Sequence, residues 1–417
     1  MRTFAPRRPA PVDGFTGVDG LGEARRKALA TLEKNLHRVS YPNVSGARWT
    51  LDAGKNHFAA LWTRDSSFPA LGLLAEGRTE PVRDYLDALL ANMRKDGLAP
   101  RRLGAGANFF QTFPALFGIH PKRSDTYDFV DFNKGLGKAP VDPNALLVWL
   151  SAEYVHTSKD TAFLRAHLAT LERAVKYLDK RTKDGLLHQG PYEDWRDLTG
   201  REGATLYGNV LYWKAVSSLA ELEAKAGRPA EAQRRTAQAD ALAKKIQKTF
   251  WDEEKGYFHD QVGLDVFGGD GNFLAGLTGL ATPTQTRSLL AAADRLLLRG
   301  NGLYASTDKP YPAKDVPWYL SLAGIRGYGD GTLVWPWMTS LYALAAAKAG
   351  DTTRAQRALS AVAQASHRDG TFAEIYDERG QGVRRGVYKS EVDFSWSAGL
   401  YLAGLKALRE AQAARFR

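Results

Sequence analysis

Ala75-Glu76-Gly77-Arg78-Thr79-Glu80-Pro81 joins two helical patterns of different kinds. Junctions built the same way recur at His156-Thr157-Ser158-Lys159-Asp160, Ala226-Gly227-Arg228-Pro229, Ala281-Thr282-Pro283-Thr284 and Ala349-Gly350-Asp351-Thr352. Each supplies a Gly stop, a Ser, Thr or Asp start, or both, as the unsatisfied backbone groups at helix ends require. The pattern before a junction is apolar on most faces, as in Ala145-Leu146-Leu147-Val148-Trp149-Leu150 and Leu341-Tyr342-Ala343-Leu344-Ala345-Ala346. The pattern after it is amphipathic. A helix apolar all round belongs in the interior, and a one-faced helix outside it.

Working outward, the periodicity predicts twelve helices, near 22–37, 63–75, 79–94, 143–156, 160–181, 206–226, 229–250, 272–280, 283–297, 334–349, 352–366 and 394–412. The even-numbered members are the apolar ones. Links from even to odd members are tight, whereas links from odd to even are long and rich in Gly, Trp, Asp and Pro. The alternation predicts an all-α fold, an (α/α)6 barrel of six helical hairpins, with the six even-numbered helices inside and all long loops at one end. An open superhelix of stacked pairs has more uniform repeats and no reason for long loops at one end only. No linker interrupts the pattern, so the expected organisation is one domain over 19–417 behind an N-terminal arm over 1–18.

Composition narrows the function classes. The chain has 417 residues, 44% of them hydrophobic and 25% charged, a globular balance that excludes a disordered protein. With no cysteine, a disulfide scaffold, a thiolate zinc site and a thiol nucleophile are excluded. No segment reaches the roughly 18–20 apolar residues of a membrane span. The basic N-terminus has no apolar run behind it, so a cytoplasmic protein without a secretory signal is expected. The net charge of +11 raises nucleic acid as a partner, but the basic residues are interspersed with acids and apolar residues, and the densest clusters are only Arg7-Arg8 and Arg101-Arg102. Neither nucleic acid nor membrane is an expected partner. Oligomeric state is not legible. No phosphate loop, dinucleotide fingerprint or zinc motif stands out, so no cofactor and no metal ligand set is assigned.

The chemistry is expected in the long loops, which hold the unusual residues. They carry Trp62-Thr63-Arg64-Asp65-Ser66, Val141-Asp142-Pro143-Asn144, Tyr192-Glu193-Asp194-Trp195-Arg196-Asp197-Leu198, Gly268-Gly269-Asp270-Gly271-Asn272, Gly331-Thr332-Leu333-Val334-Trp335-Pro336-Trp337, Gly370-Thr371-Phe372-Ala373-Glu374-Ile375-Tyr376-Asp377 and Ser390-Glu391-Val392-Asp393-Phe394-Ser395-Trp396. Singly, each has a plain structural explanation. Asp142, Asp270 and Asn272 suit helix N-caps, Arg64-Asp65 a buried ion pair, and Trp335 with Trp337 core packing. Together, carboxylates and indoles converging from distant segments on one solvent-reached funnel point to acid/base work on a glycosidic bond.

Trp62-Thr63-Arg64-Asp65-Ser66 resembles the glucoamylase segment whose Arg-Asp pair holds the terminal glucosyl residue. Gly331–Trp337 followed by Gly370–Asp377 is similar to the amylo-α-1,6-glucosidase domain of glycogen-debranching enzymes. Asp194-Trp195-Arg196-Asp197, with Gly208-Asn209-Val210-Leu211-Tyr212-Trp213 downstream, resembles the Trp-x-Asp segment of the same domain. The resemblance to these six-hairpin glycosidases spans about residues 56–402 and implies an inverting, exo-acting α-glycoside hydrolase. It implies α-1,6-linked or other short α-glucans as substrate, Asp197 as general acid and Glu374 as the base that activates water. Arg64 and Asp65 would hold the terminal sugar. Trp62, Trp195, Trp335, Trp337 and Trp396 would stack on or wall the sugar rings, and Asp194 and Glu391 would join the substrate-binding set. Asp194 competes with Asp197 for the acid, and Glu391 with Glu374 for the base. Arg384 or Arg385 is expected to keep Glu374 ionised. Another small glycoside (trehalose, sucrose, a glucosylated metabolite, a rhamnoside) suits the same barrel. A sugar epimerase or isomerase and a non-catalytic sugar-binding barrel are the readings of other classes.

Overall fold

The computed structural model describes residues 18–56, 58–106, 123–133, 139–322, 326–377, 379–385 and 388–414. The expected N-terminal arm lies outside them, apart from Val18, where the first helix begins. The twelve long helices are α1 (Val18–Asn35), α2 (Thr63–Ala75), α3 (Thr79–Ala91), α4 (Asp142–Ser158), α5 (Thr161–Asp179), α6 (Leu206–Lys225), α7 (Pro229–Phe250), α8 (Gly269–Thr278), α9 (Pro283–Leu296), α10 (Pro336–Lys348), α11 (Thr352–Asp369) and α12 (Ser395–Ala414). The even-numbered six pack side by side in the order α2, α4, α6, α8, α10, α12, and α12 returns to α2, so the ring is closed. The fold is an all-α (α/α)6 barrel.

Side-chain chemistry explains which helices are inside. Every residue of α10 from Pro336 to Ala347 is buried, because Ala, Leu, Met, Tyr and Trp occupy all its faces. In α5 the buried set is Phe163, Leu164, Leu168, Leu171, Ala174, Val175 and Leu178, one stripe of a helix whose other face is charged. The starts follow the expected chemistry. Asp160, Thr205, Thr282 and Asp351 each accept a hydrogen bond from a backbone N–H in the first turn, and Thr282 forms a full capping box with Gln285.

The ring closes on glycine. A Cβ at Gly72 of α2 would overlap the carbonyl of Gly399 in α12, and a Cβ at Gly399 would overlap the backbone of Pro69. Only hydrogen at both positions lets the two helices approach this closely.

Between outer and inner helices the chain makes short antiparallel hairpins that the helical periodicity did not reveal. They are Leu36–Ser40 with Ala47–Leu51, Thr182–Lys183 with Leu186–Leu187, Trp251–Asp252 with Tyr257–Phe258, and Arg384–Arg385 with Tyr388–Lys389. A three-stranded sheet joins Leu61–Trp62, Arg102–Gly104 and Phe129–Asp131. The first predicted helix therefore ends two residues early, where Leu36 turns into a strand. Most of these strands are too short for an alternating pattern to register. Among the described residues no helix is long and apolar enough to cross a membrane.

Candidate active site

The long loops meet at the N-terminal ends of the inner helices, the positive ends of six helix dipoles. In the first turn of α2, Arg64 lies bidentate on Asp142 of α4, with Nη2 donating to Oδ1 at 2.8 Å and Nε to Oδ2. Tyr207 of α6 donates to the same carboxylate at 3.1 Å. The ion pair weighed for Arg64 exists, but its carboxylate is Asp142 rather than its neighbour Asp65. Asp142 joins three inner helices, α2, α4 and α6, and is not an N-cap. Asp65 is left half-buried at the mouth. Burial pushes its carboxyl up to about 7; Arg64 opposes this, while Asp197 and Asp142 reinforce it.

Asp197 is half-buried on the loop before α6, and that loop is clamped from beneath. Arg201, with no exposed surface, donates to Asp194 at 2.7 Å, Asp260 at 2.9 Å and Asp270 at 3.0 Å. Tyr311 adds a hydrogen bond to Asp260 at 2.5 Å. Trp195 donates its indole N–H to Asp270 at 2.5 Å, and Arg196 lies over the Trp195 ring at 4.4 Å. Burial works against the Asp270 carboxylate, but Arg196 and Arg201 outweigh it and hold it down at about 2. Asp270 is thus the anchor of an ion cluster, which corrects the N-cap reading. Asp194 belongs to the same cluster. Its oxygens take Arg201, Gln189 at 2.7 Å and the Arg196 N–H at 2.8 Å. Its carboxylate is taken up by these interior contacts and braces the Asp197 loop.

Glu374 lies on the loop between α11 and α12, held in place by backbone pairing. Val334 and Tyr376 exchange hydrogen bonds of 2.9 and 2.7 Å, and Glu374 N–H donates to the Glu391 carbonyl at 3.0 Å. The Glu374 carboxyl accepts from the Tyr388 hydroxyl at 2.7 Å and the Glu391 N–H at 3.0 Å. Burial pushes it up to about 8; the two hydrogen bonds oppose this, and the neighbouring Glu391 and Asp65 reinforce it. A phenol and a backbone N–H contact the Glu374 carboxyl; of the two arginines expected to keep it ionised, Arg384 stands exposed beside a groove of about 480 Å³, and the Arg385 side chain lies outside the described residues. Glu391 is fully buried, and its carboxylate accepts from Asn56 N–H at 2.9 Å against Gly54. These contacts brace it behind Glu374.

Trp62 and Trp335 are buried, Trp62 beside Phe58 at 6.0 Å and beneath the Arg101 guanidinium at 4.9 Å. Trp337 and Trp396 stack at 4.3 Å, with Phe68 on Trp396 at 4.9 Å, in one buried aromatic pile. Trp195 stands edge-on to both Trp337 (4.8 Å) and Trp335 (5.5 Å), coupling the pile to the Asp197 loop.

Sequence reasoning missed two tyrosines. Tyr328, in the short helix Arg326–Asp330, packs at 5.2 Å on Trp335 and 5.7 Å on Tyr388. Burial raises its hydroxyl well above the usual range, and Glu374, Asp197 and Asp65 raise it further while Arg64 opposes them. One phenol is therefore within electrostatic reach of all four groups expected to act on the sugar. The signal available was Gly327-Tyr328-Gly329, an aromatic between two glycines, and Tyr388 just before Glu391.

The closed ring of six helical hairpins is a fold shared with solved glycosidases. Residues 199–397 match the model of the mannosylglycerate hydrolase MGH1-like glycoside hydrolase domain, a span that includes Glu374 and begins just after Asp197. No curated protein matches the chain. Among solved structures, a glycosidase variant in complex with glucose aligns over 94% of this chain and 97% of its own, at 18% identity and a TM-score of 0.66. A rhamnosidase from Klebsiella oxytoca with rhamnose bound aligns over 99% of this chain and 66% of its own, at 15% identity and 0.66. A mannosylglycerate hydrolase from Thermus thermophilus in complex with Tris aligns over 91% and 99%, at 18% identity and 0.62. The structural likenesses establish the fold, and the domain match supports a glycoside hydrolase without singling out the debranching-enzyme branch.

Proposed function

We propose that the protein is an inverting, exo-acting hydrolase of α-glycosides, releasing one terminal sugar from α-1,6-linked or other short α-glucans. The observation that carries this is the glycoside hydrolase domain match over residues 199–397, supported by Arg64, Asp65, Asp197 and Glu374, which all act electrostatically on the Tyr328 hydroxyl. Arg64, fixed by Asp142 and Tyr207, and Asp65 hold hydroxyls of the terminal sugar. Asp197, the more accessible carboxyl, donates its proton to the leaving-group oxygen. Glu374, aimed by Tyr388 and Glu391, takes a proton from water as that water attacks the opposite face of the anomeric carbon. A small glycoside of the mannosylglycerate type is the alternative substrate, and the domain match favours it.

One observation favours exchanging the two roles. A carboxyl at about 8 carries its proton at neutral pH, as a general acid does. The experiments separate the two assignments. With Glu374 as base, kcat/KM rises as pH rises through about 8; with Glu374 as acid it falls. A glycosyl fluoride requires little protonation of its leaving group. It should restore turnover to Asp197→Asn and leave Glu374→Gln inactive, each variant otherwise losing about 10²–10⁴-fold. The opposite rescue exchanges the roles. NMR of the nascent sugar should show the inverted anomer, and a retained anomer rejects inversion.

A further inference from the structure

Trp318 is 74% exposed, Leu322 78% and Tyr319 50%, so three of the six exposed large hydrophobic residues among those described lie in one five-residue stretch. Isolated exposed apolar residues are ordinary; a contiguous Trp, Tyr and Leu on a short helical turn is an apolar surface kept open to solvent. The turn, Tyr319–Leu322, is not loosely attached. Its buried face, Leu320, joins Val316 and Tyr311 in a small separate apolar cluster against which Leu198 packs. Gly200 N–H donates to the Asp315 carbonyl at 2.6 Å, and the Thr199 hydroxyl to the Gly329 carbonyl at 2.5 Å.

Leu198, Thr199 and Gly200 are the residues that follow Asp197. The exposed turn is therefore built onto the very segment that carries the proposed acid. Independently, the Tyr319 hydroxyl is raised by partial burial and further by Tyr192 and Asp197. The same Asp197 acts on Asp65 in the sugar-holding group. A general acid protonates the oxygen of the leaving group, so what adjoins it beyond the terminal-sugar groups meets the leaving group.

We infer that Trp318, Tyr319 and Leu322 form a platform for the leaving group, and that this group is itself a pyranose whose C–H face lies on the rings. The inference rests on the hydrolase reading above and narrows its substrate from any small glycoside to disaccharides and longer chains. A small acid such as glycerate has no flat apolar face to lay on these rings.

The test compares Trp318→Ala and Leu322→Ser, both at solvent-exposed positions, with the unaltered protein. On isomaltose, kcat/KM should fall about 5- to 10-fold in Trp318→Ala, mostly through KM, given the usual strength of ring stacking. On α-glucosyl fluoride, whose leaving group touches no platform, it should stay within about twofold. Unchanged isomaltose hydrolysis in Trp318→Ala overturns the inference while leaving the hydrolase reading intact. Sensitivity confined to p-nitrophenyl α-glucoside also overturns it, in favour of an aryl leaving group. If the unaltered protein hydrolyses none of these, the α-glucoside specificity proposed above fails. Calorimetric binding of isomaltose to Glu374→Gln with and without Trp318→Ala then still decides the platform: equal affinity rejects it, and a loss upholds it.

Discussion

Glu374 and Asp65 hold their protons in the folded state to about 8 and about 7, against ordinary values of 4.5 and 3.8, because burial penalises their charged forms. Between the two values the native state binds more protons than the unfolded chain, so the stability these groups confer is full below their ordinary range and is lost as pH rises toward 8. Glu374→Gln, which cannot ionise, should therefore raise the melting temperature at pH 8–9 relative to the unaltered protein and change it little at pH 4, measured by calorimetry at both. The gain is about 1 °C per kcal/mol in a chain of 417 residues. Arg201 carries the opposite arrangement, a cation inside three carboxylates. Arg201→Met should cost about 3–5 kcal/mol in urea unfolding, since it leaves buried charges uncompensated. Residues differ in how far the sequence disclosed them. Asp197 and Glu374 stand in recognisable runs of Trp, Asp and Gly, whereas Arg201 has partners 7, 59 and 69 residues away and no local pattern. Asp194 and Asp197 looked interchangeable because three residues of sequence do not say which side of a loop faces the core.

The elements repeat a device that periodicity alone did not show. In the first turns of α4, α6 and α8, Asn144, Asn209 and Asn272 each clamp the connection before their own helix or an adjacent one. Asn209 accepts from Leu187 N–H at 2.8 Å and donates to its carbonyl at 3.0 Å; Asn272 does the same for Phe258 at 2.9 and 2.8 Å. Asn144 accepts from Ala99 N–H at 2.9 Å and donates to Gly97 and Ala174 carbonyls. In α10 the position passes to Thr339, which accepts from Tyr304 N–H at 3.0 Å. These side chains tie each loop to the mouth of the barrel. Asn272 was legible as a polar residue at a helix start, but capping its own helix and clamping a preceding strand use the same residue type, and the sequence does not separate them. Asn209→Leu and Asn272→Leu should each cost about 1–3 kcal/mol by leaving a buried strand N–H unpaired. Because they sit in different hairpins, the double variant should show nearly the sum, measured by denaturant titration.

At the scale of the molecule, helix order and inner and outer assignment were legible, because burial on every face and burial on one face leave different compositions. How the ring seals was not, since Gly72 and Gly399 look like ordinary helix glycines until α2 and α12 are side by side. Gly399→Ala should lose most folded protein on expression or melt far below the parent, its methyl meeting the Pro69 backbone. Gly77→Ala is the control: its φ of +75° costs about 1 kcal/mol, but its methyl meets nothing. The seam also orders events in time. Five of the six contacts around the ring join successive hairpins and form between chain neighbours, whereas α2 with α12 brings together the first and last inner helices. A contact of such long range is assembled late, after the loop-closure entropy of the intervening chain has been overcome. Arg64 and Asp65 ride on α2, and Glu374 precedes α12, so the seam runs through the candidate site. In refolding from denaturant, circular dichroism should recover helix before glycoside hydrolysis returns, with activity appearing only in the phase that zips the last helix against the first.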